Sequence, residues 1–233
     1  MENLPFYISL VFGLTVLAAV FIFYSAANHS KTFLLIITLW IIVQSIVGLS
    51  GFYRDESTIP PRFSLLVFPP LVMIFLLFIT KKGKIFIDSL SMKWLAFFHI
   101  VRIPVELVLF WLFLNKMVPG LMTFEGRNFD VLSGISAPMI YYFVFVKKII
   151  GPKLLLVWNF ICLGLLLNVV SIAVLSLPTP FQQFAFEQPN VALLEFPFVL
   201  LPSVLVPLVL FAHLTAIRRL LQKPTDIVTI QMP

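Results

Sequence analysis

Hydrophobic residues in this chain come in continuous runs of about 20, separated by short polar stretches, not in the three-and-four or alternating rhythms of half-buried elements. The runs fall at residues 6–27, 32–53, 63–80, 91–115, 129–146, 153–177 and 192–214. Each is long enough to cross a bilayer as a helix, the conformation that satisfies every backbone group within one segment. None has the weak alternation of a barrel strand. The pattern predicts an all-α integral membrane protein, a single seven-transmembrane-helix bundle over residues 1–233.

Charge then orients the bundle. Lys31, Lys81, Lys82, Lys84, Lys93, Lys147, Lys148, Lys153, Arg218, Arg219 and Lys223 fall in one set of connections, and Arg54, Arg62, Lys116 and Arg127 in the other. Eleven basic residues against four predict the amino terminus outside and the carboxyl terminus in the cytoplasm. Seven acids, Glu2, Asp55, Glu56, Glu125, Asp130, Glu187 and Glu195, fall on the outer side. The Met1 to Pro5 start lacks a basic leader region, so the first run is expected to stay as a helix.

Composition agrees: 61% of residues are hydrophobic and the mean hydropathy is +1.07, well beyond a soluble domain. The net charge of +6 is spread over short clusters between spans, which argues against a nucleic-acid partner. One cysteine, Cys162, rules out an internal disulfide and a multi-cysteine metal centre, and its bland reading is a small buried hydrophobe. His29, His99 and His213 are too scattered for a multi-histidine metal hydrolase, the seventh run has no lysine for a retinal Schiff base, and no nucleotide-binding loop is present. No metal or cofactor is expected on these grounds.

The fourth run breaks the apolar rule with His99-Ile-Val-Arg102-Ile-Pro104-Val-Glu106. At about 100° per residue, His99, Arg102 and Glu106 share one face within roughly 60° and span about 10 Å along the axis. A charge at mid-bilayer costs roughly 3 kcal/mol, so such groups face the protein interior and mark sites or pathways. Pro104 cannot donate to the carbonyl of Ile100, which predicts a kink and a freed acceptor beside the stripe.

The fifth run offers a matching face, with Asp130, Ser133, Gly134, Ala137, Pro138 and Tyr141 at spacings of three and four. Small residues in this rhythm let two membrane helices approach closely, so this run is expected to pack on the fourth. Asp130 also suits a helix amino-terminal cap. Proline at 69, 70, 138, 197, 202 and 207 predicts irregular helices in the third, fifth and seventh runs. Two outer connections, 116–128 and 178–191, are oddly apolar and are expected to lie along the interface or fold over the bundle mouth.

The string from Thr123 through Glu125, Gly126, Arg127, Asn128 and Asp130 to Gly134, with Arg102-Ile-Pro104-Val-Glu106, resembles segments of uncharacterised bacterial multi-pass membrane proteins. The resemblance covers the middle third of the chain. It implies a bacterial cytoplasmic membrane as the setting and brings no activity.

Function stays divided between classes. In a proton-linked transporter or permease, His99 and Glu106 exchange protons, while Arg102 binds a small anionic solute with Arg127, Asp130, Tyr141 and Asn168 around it. In an intramembrane enzyme the same groups meet a lipid or isoprenoid headgroup, with His99 or Glu106 as acid or base. In a structural or assembly protein, Arg102 and Glu106 neutralise each other and hold helices together. Haem ligation by His99 and His213 is the weakest of the readings. Membrane lipids are the partners expected in every case, and the oligomeric state is left open.

Overall fold

The computed structural model describes residues 4–55 and 58–222, so Glu2, Glu56 and Lys223 of the charge count lie outside the described residues. All regular elements among the described residues are helical. They are α1 (Phe6–Ala26), α2 (Lys31–Leu49), α3 (Ser64–Ile79), α4 (Lys81–Ser89), α5 (Met92–Phe98), α6 (Arg102–Leu114), α7 (Val131–Ile140), α8 (Pro152–Leu175) and α9 (Val206–Gln222). A 3₁₀ turn, His99–Val101, joins α5 to α6; π-helical turns extend α7 through Tyr141–Val146 and lead into α9 through Leu201–Leu205.

Among the described residues, five helices are long and apolar enough to cross a membrane: Phe6–Ala26, Lys31–Leu49, Met92–Leu114, Pro152–Leu175 and Leu201–Gln222. The third predicted run ends at a 93° bend between α3 and α4, and the pair makes a sixth if it counts as one span. Thr80 accounts for the bend: its hydroxyl caps α4 by accepting from the amide of Gly83 at 3.1 Å, and Gly83 lies against the backbone of Leu77, where no side chain fits. The fifth predicted run becomes an apolar helix, Val131–Val146, shorter than the others.

Polar contacts gather the helix ends into two faces. On one, Asn28 Nδ2 donates to the carbonyl of Ser89 at 2.6 Å, the amide of Ser91 donates to that of Ala26 at 2.8 Å, Arg218 pairs with Asp88 at 2.5 Å, and Arg219 Nη1 donates to the Leu90 carbonyl. On the other, the ring of Tyr7 meets that of Trp111 at 5.1 Å, and Arg54 pairs with Glu195 at 2.6 Å. The two apolar connections also meet there, folded onto the bundle end. Gln188 Nε2 donates to the carbonyls of Phe113 and Val118, and the amides of Val191 and Ala192 donate to that of Met117.

α9 with its π-helical lead-in is the most enclosed helix, 67% buried against 11% for α2, which lies at the periphery. Large side chains such as Leu35, Ile46, Phe68, Phe75 and Ile161 are exposed around the outside, as in a surface made for hydrocarbon. The prolines act where the sequence places them. Pro207 has no N–H for the carbonyl of Ser203, and the indole of Trp40 on α2 donates to that carbonyl instead at 2.8 Å. α7 sits on the α5–α6 junction through its small residues: a Cβ on Gly134 would lie 2.9 Å from Ile103 Cγ1 and 3.0 Å from the Ile103 backbone nitrogen.

Candidate functional site

The polar stripe of the fourth run faces inward. His99, Arg102 and Glu106 are all buried, as are Asn128, Asp130, Asn159 and His213. Pro104 removes one ladder bond, and the helix answers with the 3₁₀ turn at His99–Val101, which carries the stripe into the centre of the bundle.

Arg102 is the hub. Its Nη1 pairs with Asp130 Oδ1 at 2.5 Å and donates to the carbonyl of Cys162 at 3.3 Å, while Nη2 donates to His213 Nε2 at 2.9 Å. A guanidinium has only donors, so Nε2 of His213 must accept, which leaves the proton on Nδ1 to donate to Asn159 Oδ1 at 2.9 Å. His213 is thereby fixed as a neutral imidazole in one tautomer. The His99 ring stacks on it, centroids 3.9 Å apart and 14° from parallel, with Trp158 edge-on to His99 at 5.4 Å. Among the described residues, His99 Nδ1 and Arg102 Nε have no hydrogen-bond partner.

Asn128 organises the acids. Its amide nitrogen donates to Glu106 Oε1 at 2.7 Å, Glu106 Oε2 at 2.8 Å and the Met122 carbonyl at 2.9 Å. Its oxygen accepts from the amide of Asp130 at 2.9 Å. Asp130 occupies the cap position of α7, yet its side chain makes no capping bond and turns to Arg102, with the Ser133 hydroxyl 3.4 Å away. Among the described residues, no cation lies within ion-pair distance of Glu106.

This corrects several expectations. Arg102 is neutralised by Asp130 on the neighbouring helix, not by Glu106 one turn along its own. Asp130 is therefore an ion-pair partner of the expected binding residue. Arg127 is exposed, and its carbonyl accepts from Asn168 Nδ2 at 2.8 Å, so these two residues meet each other at the bundle end, outside the cluster. Tyr141 lies about 16 Å beyond Asp130 along the helix by its rise. There its ring meets Phe97 at 5.3 Å and the ammonium of Lys93 at 5.4 Å. His213 belongs to the core of the cluster. Stacked face to face, His99 and His213 leave no room for a porphyrin between them, which does not fit axial haem ligation.

A chamber of about 220 Å³ adjoins the cluster, bounded by α3, α6, α8 and α9. Arg102, Glu106 and Asp130 are its ionisable lining groups; nearly all the rest is aliphatic, including Val67, Leu109, Leu166, Val170 and Leu205. At its rim stand Leu71 of α3 and Leu167 and Val174 of α8, all exposed, so the chamber opens sideways between these helices. Compared with known proteins, the chain matches no family model, no curated protein and no solved structure.

The sequence reading left Asn128 out of the site and brought in His213 only as a haem ligand with His99. Asn128 lies inside the Glu125–Asp130 string and carried a signal, since an amide beside two acids can bridge them. Asn159 and His213 come from α8 and α9, and nothing local to them points to Arg102.

Proposed function

We propose that this chain is a multi-pass protein of the bacterial cytoplasmic membrane that binds a lipid-like amphiphile, with the tail in the lateral chamber and the polar end at Glu106, Arg102 and Asp130. The carrying observation is the chamber itself: an aliphatic wall that holds Arg102, Glu106 and Asp130 as its ionisable groups, opening between α3 and α8. Such a space suits a molecule arriving from hydrocarbon. It suits a small hydrophilic anion poorly, because the walls offer such a solute few hydrogen bonds and the guanidinium already holds Asp130. The amphiphile reading is thus favoured over the anion permease.

In this proposal seven helices cross the membrane, amino terminus outside. The two faces of helix ends support it, since consecutive long helices run alternately between them, with α3 and the Val131–Val146 helix as the short crossings. The basic residues at Lys81, Lys82, Lys84, Arg218 and Arg219 gather at one face, as a cytoplasmic side requires.

The test is mass spectrometry of lipids released from gently solubilised protein. The natural chain is expected to retain one amphiphile stoichiometrically, and Ala173→Trp, which fills the chamber from α8, to lose it while keeping its thermal unfolding transition. Equal lipid content in the two proteins would overturn the reading.

A further inference from the structure

We infer that the occupant of the chamber carries a cationic, hydrogen-bond-donating head, such as a primary ammonium, received by Glu106. This inference rests on the amphiphile reading and specifies the polar end. Two carboxyl groups and one guanidinium line the chamber. Three of the guanidinium's five N–H donors go to Asp130, the Cys162 carbonyl and His213, and its charge is matched by Asp130. Glu106 is left with one neutral partner, the Asn128 amide, which donates to both of its oxygens.

Each carboxylate oxygen keeps a further lone pair, and a buried carboxylate is costly unless paired. A monocation with N–H donors supplies both what the lone pairs lack and the charge that balances the three groups. An anionic head would instead stand beside two acids against one guanidinium, whose charge Asp130 already matches. Glu106 is also well placed to receive such a head, one turn beyond Arg102 on α6 and held in position by Asn128.

The experiment ranks three probes that share one tail: laurylamine, lauryl alcohol and laurate. Each is titrated against the full chain in nanodiscs of zwitterionic lipid, with protein-free discs subtracting bulk partitioning. Laurylamine is expected to bind about tenfold or more tighter than laurate, with lauryl alcohol between them, and Glu106→Gln to erase that preference. Laurate binding as well as laurylamine to the natural chain would overturn the cationic head and leave the amphiphile reading standing. Failure of all three probes to bind would overturn both. The ranking on the natural chain decides the matter even if Glu106→Gln does not fold.

Discussion

Asp130 is the side chain on which the buried charge of Arg102 depends. Both are almost wholly enclosed, with side-chain exposures of 3% for Arg102 and 6% for Asp130. Removing one partner of a buried pair leaves the other uncompensated, at a cost of roughly 3–5 kcal/mol, whereas replacing both by apolar groups is often neutral. Asp130→Ala is therefore expected to lower the unfolding midpoint in detergent sharply, and Arg102→Leu with Asp130→Leu to recover most of the loss. A double variant no better than the single one would show that the pair is not the main source of the penalty.

How much of this was legible beforehand follows from where each partner sits in the chain. His99, Arg102 and Glu106 are on one helix, so helical spacing alone puts them on a common face. Asp130 and Asn128 follow within a loop and a turn, close enough for the string to draw attention. Arg102 and Glu106 looked like partners because they are one turn apart; the cross-helix pair to Asp130 wins because Asn128 captures Glu106. His213 is 111 residues from Arg102, and no periodicity reports on so distant a contact.

Helix packing explains why these groups converge at all. α7 approaches the α5–α6 junction closely enough for Asp130 to reach Arg102 because Gly134 presents no side chain to Ile103. Its replacement by valine would place a Cβ within 3.0 Å of the Ile103 backbone nitrogen. Overpacking of this kind typically costs about 1–3 kcal/mol. Gly134→Val is expected to lower the unfolding midpoint and to impair amphiphile retention together, because it pushes Asp130 away from its partner. Unchanged retention at a normal midpoint would mean that the junction tolerates separation.

The run lengths on which the span prediction was built say where chain is apolar, not where it turns. Thr80 and Gly83 turn the chain by 93° where the third run ends at Lys81 and Lys82, an angle that hydropathy does not report. Close approach by Gly134 was readable from small-residue spacing, but the depth of Tyr141 was not, since sharing a helix face says nothing about distance along it. Prolines in the last run foretold irregularity. They did not foretell that Trp40 of α2 would take the carbonyl that Pro207 leaves free.

Taken together, the bundle places a polar cluster beside an apolar chamber that opens sideways between α3 and α8. The two apolar connections fold over one bundle end through Gln188, Val191 and Met117, and the proposed amphiphile would reach Glu106 through the gap between α3 and α8. The most direct measurement is an experimental density map of the full chain in a lipid nanodisc, with the bilayer belt visible. Elongated density entering between Leu71 and Leu167 and ending within hydrogen-bond reach of Glu106, with seven helices passing through the belt, is the predicted result. A chamber filled by side chains or holding only water beside Glu106, or fewer helices crossing the belt, would contradict it.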